Sequence, residues 1–115
     1  KLFLIQKDLY KNDETSLKNS EDIIFLGKES RWSDFEDTSA IVKNMDFVIS
    51  ICTSLIHLSS SMNKKSYLLL SKQADWRWSV ENLKTPKWYD KTTIIRQKSK
   101  NNWEDVIMEL MNRLN

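Results

Sequence analysis

One glycine and one proline occur in 115 residues, where average usage would supply roughly eight and six. A glycine-rich phosphate loop of the Walker or dinucleotide type is therefore excluded, since Gly27 is the sole position where backbone could approach a phosphate without a side chain in the way. One cysteine, Cys52, excludes an internal disulfide framework and any zinc site built on two or more cysteines. Charge of one sign is also lacking: 18 basic against 16 acidic side chains leave +2, too little to make nucleic acid the default partner. No apolar run approaches the roughly 18 residues of a membrane span, and Lys1-Leu2-Phe3-Leu4-Ile5-Gln6 is too short for a signal sequence. The chain opens on Lys, and the reading expects a fragment or an excised domain.

Apolar residues make up 40% and charged residues 30%, an ordinary balance for a chain that buries one core. Five Trp, four Phe and three Tyr supply ample surface to bury, which argues against disorder. Lys, Asn and Ser are plentiful and Ala is scarce, a bias that an A- and T-rich genome would also produce.

Short apolar runs at Leu2–Ile5 and Ile23–Leu26 are expected to be buried strands, separated by a polar stretch with at most a short helix around Leu17. Asp34-Phe35-Glu36-Asp37 opens a helix capped by Asp34, running to about Asn44 and burying Phe35, Ile41 and Met45. Phe47-Val48-Ile49-Ser50-Ile51 is apolar on both faces, as a parallel strand covered on two sides would be. A helix follows from Thr53-Ser54 with Leu55, Leu58 and Met62 as its buried stripe, then a strand at Tyr67–Leu70. Residues 71–91 have little periodicity and read as a long ordered loop with one turn of helix. Thr92–Arg96 is the last strand, and Trp103, Val106, Ile107, Leu110, Met111 and Leu114 form one face of a closing helix capped by Asn102. Strands alternating with helices indicate an α/β, Rossmann-like fold: a mostly parallel sheet covered by helices.

Ligands of such sheets sit outside the carboxyl ends of the strands. That rule selects Ser50-Ile51-Cys52-Thr53-Ser54-Leu55-Ile56-His57, where a strand ends and a helix begins. The free amides and positive dipole end of a helix start favour an anion; Thr53 and Ser54 add hydroxyls, and His57 lies one turn on. A diphosphate fits this set, while the plainer alternative makes Thr53 a simple cap and His57 a packing residue. Cys52 beside the helix start raises a Cys52/His57 nucleophilic pair, although no third orienting group is evident. Asp75-Trp76-Arg77-Trp78 belongs to the same sheet edge, where indoles and a guanidinium can wall a base or sugar, or else fill core with Arg77 paired to Asp75. Lys84, Lys87, Trp88 and Lys91 resemble a strand-binding nucleic-acid surface, but Asp75, Glu81 and Asp90 break up its positive field. Asp34, Glu36 and Asp37 read as capping residues, and no metal site is expected.

Taken in order, Asp34-Phe35-Glu36-Asp37-Thr38-Ser39-Ala40, Asn44 to Ser50, Thr53-Ser54-Leu55-Ile56-His57-Leu58, Leu68-Leu69-Leu70 before Asp75-Trp76-Arg77-Trp78, then Trp88-Tyr89 and Ile95-Arg96-Gln97 make a recognisable series. The chain resembles the C-terminal half of glycosyltransferase family nine, the heptosyltransferase-like group, in the version found at the end of bacterial tetratricopeptide-repeat proteins. The resemblance runs from Leu4-Ile5-Gln6 to the last helix. It implies the C-terminal half of a GT-B fold, with residues 1–115 a single domain binding a nucleoside-diphosphate sugar and the N-terminal half lying outside them. Thr53, Ser54 and His57 would hold the donor diphosphate, with Cys52, Asp75 and Arg77 as neighbours. No metal cofactor, nucleic acid or transmembrane segment is implied. The implied covalent partners are a second Rossmann-like half or tetratricopeptide repeats, and the implied location is the cytoplasm, up to the inner face of the membrane. Two departures stand out. Cys52 occupies a position where the family usually has an aspartate, and Ser59-Ser60-Ser61-Met62-Asn63 replaces a stretch of small residues and glycines. The rival expectation is a non-catalytic module of the same fold, used for protein interaction or scaffolding.

Overall fold

The computed structural model describes residues 1–6, 8–27, 34–78 and 85–115, which fall into two compact units, Lys1–Ser33 and Asp34–Asn115. Both are α/β with parallel strands.

In the first unit, strand β1 (Leu2–Leu4) pairs in parallel with β2 (Ile23–Phe25), Leu2 opposite Ile23 and Leu4 opposite Phe25. Parallel neighbours need a crossover, and helix α1 (Lys11–Lys18) lies in it. Acidic Asp13 and Glu14 in its first turn and Lys18 in its last complement its dipole. None of this unit's described side chains is fully buried. Gly27 is required for a close approach: a Cβ there would fall 2.5 Å from the Gln6 carbonyl oxygen and from the Phe25 ring.

The second unit is a three-stranded parallel sheet in the order β3 (Val48–Ser50), β4 (Ser66–Leu70), β5 (Thr92–Arg96). The strands expected to form one sheet are thus shared between two. Helix α2 (Phe35–Lys43) precedes β3, α3 (Ser54–Ser61) joins β3 to β4, and α4 (Glu104–Leu114) follows β5. Asp34 caps α2 as expected, its Oδ1 accepting from the Glu36 and Asp37 amides at 2.9 and 3.0 Å.

Alternation along β4 and β5 explains why these strands are apolar on both sides. Leu68, Leu70 and Ile94 pack with Ile56 of α3 and with Trp78, while Tyr67 and Ile95 pack with Val106 and Leu110 of α4. The sheet therefore has a covered face on each side, compatible with a Rossmann-like fold.

Three expected burial patterns are corrected. Phe35 is 61% exposed and Val42 is the buried residue of α2. In α3 the buried residues are Ile56, Ser59 and Ser60 rather than Leu55, Leu58 and Met62. The reason is close approach: Ser66 Oγ donates to Ser59 Oγ at 3.1 Å, and Ser60 Oγ lies 2.6 Å from Thr92 Oγ1, so small hydroxyl side chains bring helix and sheet together. In α4 only Val106 and Leu110 are buried, with Ile107, Met111 and Leu114 left at the surface.

The missing glycines after His57 are replaced by an asparagine. Asn63 takes φ = 57°, with its amide bonded to the Ser60 carbonyl and the Lys64 amide to the Ser59 carbonyl, both at 3.0 Å. That is a Schellman closure, with Asn in the left-handed place glycine usually fills. Asn102 does supply a cap to α4: the helix starts one residue after Trp103, and Asn102 Oδ1 accepts the Glu104 amide at 3.0 Å.

Candidate functional site

The carboxyl ends of β3 and β4 open on a cavity of about 270 Å³, lined by Ile51, Cys52, Leu69, Leu70, Ser71, Gln73, Ala74, Asp75 and Trp103. This lies just under the range of small-molecule sites, roughly 300–1,000 Å³. It has room for a sugar ring or a diphosphate rather than a whole nucleotide sugar. Cys52 and Asp75 line it; Thr53, Ser54, His57 and Arg77 do not.

Thr53 is the N-cap residue of α3 by backbone, with φ −135° and ψ 174°, but its hydroxyl makes no capping hydrogen bond. Thr53 Oγ1 instead meets Ser50 Oγ at 3.0 Å, and Ser50 Oγ donates to the Ile51 carbonyl. Thr53 is therefore the cap by backbone position, while its side chain is engaged with Ser50. Among the described residues no side-chain oxygen accepts from the amides of the first turn of α3, which keep the partial positive charge of a helix start. Thr53 and Ser54 are both exposed.

His57 lies among aromatic rings. Its imidazole stacks on Trp78 with centroids 4.9 Å apart and planes at 25°, and its Nδ1 is 3.1 Å from the Tyr89 hydroxyl. If Tyr89 donates, the imidazole is the tautomer carrying its proton on Nε2, the nitrogen left for a ligand. Tyr89 also packs edge-on against the imidazole at 5.9 Å. The packing reading of His57 thus has direct support.

Trp78 ties the site together. Its ring is 1% exposed within the cluster of Ile56, Leu68, Leu70 and Ile94, and its Nε1–H donates to Cys52 Sγ at 2.9 Å. Cys52 and His57 are consequently each joined to Trp78, the thiol by hydrogen bond and the imidazole by stacking, rather than to each other as the nucleophilic alternative requires. Arg96 Nη2 donates to the Trp78 carbonyl at 3.0 Å, and burial pushes the Arg96 guanidinium below its usual range.

A single 3₁₀ turn, Trp76–Trp78, provides the helical turn expected in the loop after β4. It sends its two indoles opposite ways: Trp78 inward, Trp76 to solvent at 72% exposure. Arg77 pairs with Asp75, Nη2 to Oδ2 at 2.9 Å, and Asp75 Oδ1 accepts the Arg77 amide at 3.0 Å. Of the basic surface considered for nucleic acid, Lys84 and its counter-charge Glu81 lie outside the described residues.

Sequence reasoning missed Tyr89 as the partner of His57 and Ser50 as the partner of Thr53. A tyrosine 32 residues from the histidine leaves no local signal, whereas the Ser50–Thr53 spacing at a strand end was available to be read. Among the described residues no three His, Cys, Asp or Glu side chains come together as a metal-binding group, and no helix is long and apolar enough to cross a membrane.

No protein-family model, curated protein or solved structure matches this chain. The resemblance to glycosyltransferase family nine rests on the sequence alone.

Proposed function

We infer that the Asp34–Asn115 unit binds the diphosphate of a nucleoside-diphosphate sugar at the start of α3, as the donor-binding half of a glycosyltransferase of the GT-B kind. The observation that carries this reading is the Thr53 hydroxyl turned to Ser50, which leaves the first turn of α3 without a side-chain cap beside the cavity edge at Ile51 and Cys52. Backbone amides at such a position hold an anion without a basic side chain.

In the transfer, an acceptor hydroxyl oxygen bonds to the anomeric carbon while the bond from that carbon to the diphosphate oxygen breaks. The charge left on the diphosphate would be met by the α3 amides and the Ser54 hydroxyl, while the Thr53 hydroxyl, expected at the site from the sequence, stays with Ser50. His57 would reach the ligand only through Nε2, with Tyr89 and Trp78 setting the ring's orientation. The family resemblance assigns the base that accepts the hydroxyl proton to a partner half, in keeping with the role of a binding module for this unit.

A second reading, the non-catalytic interaction module, is favoured by Cys52, which places a thiol engaged with Trp78 where the family usually has a carboxylate. Thermal unfolding with ADP, GDP, UDP and their sugars separates the two. A ligand at 100 times its dissociation constant adds about 2.7 kcal/mol. Ser54→Glu places a carboxylate at the helix start, so it is expected to hold or raise stability while abolishing the nucleotide shift. A shift with no nucleotide leaves the interaction module as the function; a shift unaffected by Ser54→Glu moves the diphosphate away from α3.

A further inference from the structure

Trp76 and Trp88 are 72% and 59% exposed, although each offers one of the largest apolar surfaces a side chain can carry. They are not scattered singly: their ring centroids lie 6.3 Å apart with planes at 80°, and the Arg77 guanidinium carbon sits 6.0 Å from the Trp76 centroid. We propose that Trp76 and Trp88, with the Arg77–Asp75 ion pair beside them, form a stacking platform for a pyranose ring of an uncharged saccharide.

The turn that carries Trp76 and Arg77 is fixed in place. It is closed by the Trp78 amide bonded to the Asp75 carbonyl at 3.1 Å, by Asp75 Oδ1 accepting the Arg77 amide, and by the buried Trp78 ring as anchor. A rigid surface loses little freedom when a ligand arrives.

The chemistry selects the ligand class. The edge-to-face contact and the Arg77 guanidinium each take up part of an indole face, yet at 72% and 59% exposure both rings keep open surface whose negative quadrupole attracts polarised C–H bonds. A pyranose presents such C–H bonds on its flat side and hydroxyls around its rim. Arg77 supplies donors and Asp75 acceptors for those hydroxyls, and the pair is neutral together. A phosphate would meet the Asp75 carboxylate as well as the guanidinium, which disfavours an anion. Indoles at 80° cannot sandwich a planar base. Asp75 also lines the cavity at the strand ends, so platform and cavity share a residue. The inference does not depend on diphosphate binding, since it concerns sugar without nucleotide.

The test is titration of the full chain with cellotriose and with methyl β-D-galactopyranoside, following the indole N–H signals by NMR. Saturable movement of the Trp76 and Trp88 signals with a saccharide is expected. Trp76→Ala and Trp88→Ala should each weaken it about tenfold, the scale of one lost ring stack; both side chains are exposed, and circular dichroism verifies that the variants stay folded. Parallel titrations use adenosine and inorganic phosphate. No saturable movement with either saccharide overturns the proposal, as does movement with adenosine or phosphate alone. Saccharide shifts that survive both substitutions, or a Trp76→Ala chain that changes from dimer to monomer in sedimentation, overturn it equally.

Discussion

The indole N–H of Trp78 donates to the sulfur of Cys52 across 2.9 Å, and the same ring carries His57 stacked on its face at 4.9 Å. One buried side chain thereby orders both candidate groups of the α3 start. Trp78→Ala is expected to cost about 3–5 kcal/mol, the scale of a large aromatic removed from a packed core. Trp78→Phe fills most of that space but removes the N–H, and should retain the larger part of the stability. Urea unfolding of the two variants checks this: equal losses would show that the sulfur contact, not the packing, dominates.

Ser60 and Thr92 share a buried hydroxyl contact of 2.6 Å. Truncating one partner strands the other, so Ser60→Ala and Thr92→Val should each cost about 1–3 kcal/mol. The double variant should cost less than the sum, because it leaves no stranded hydroxyl. A double-mutant cycle by chemical denaturation reads the coupling directly, and additive losses would mean that the hydroxyls are not coupled.

Asn63 holds a left-handed conformation at φ = 57°. Asn63→Val should lower stability by about 1–2 kcal/mol, the penalty for a side chain branched at Cβ forced into that region, whereas Asn63→Gly should be neutral or mildly stabilising. Melting temperatures of the pair decide it; a neutral Val variant would contradict the closure described for α3.

Lys64 extends its ammonium to the carbonyls of Lys43 and Met45, at 3.0 and 2.7 Å, and so caps the end of α2. Lys64→Met keeps the aliphatic stem and removes the charge. A loss of about 1 kcal/mol is expected, from a charge-assisted contact at a helix carboxyl end. Unfolding at raised salt supplies the check, because the wild-type advantage should shrink with screening.

Much of the fold was legible because physical constraints left few alternatives. Val48-Ile49, Tyr67–Leu70 and Thr92–Ile95 are β-branched, aromatic or apolar on both faces, a pattern that covered parallel strands favour. Asp34 was legible as a cap because a carboxylate before Phe35-Glu36-Asp37 answers the amides of a helix start. The buried face of α3 was not. Hydropathy rewards bulk and chose Leu55, Leu58 and Met62, while the fold selects Ser59 and Ser60 because only small side chains let the helix reach Ser66 and Thr92. Trp76 and Trp78 were equally opaque: in a 3₁₀ turn residues two apart point about 120° from each other, so one can be buried and the other exposed, and nothing in Trp-Arg-Trp says which indole goes inward. At the site, the strand end and helix start followed from the sequence. The Tyr89 partner of His57 did not, because a contact between residues so distant in the chain is made only by folding.

Helix α3 is fastened unequally along its length. Its last turn is locked by the Asn63 closure and two interior hydroxyl contacts, whereas its opening turn has no side-chain cap. Fraying of this helix is therefore expected to start at Ser54 rather than at Ser61, the end at which the proposed anion would bind and tighten the backbone.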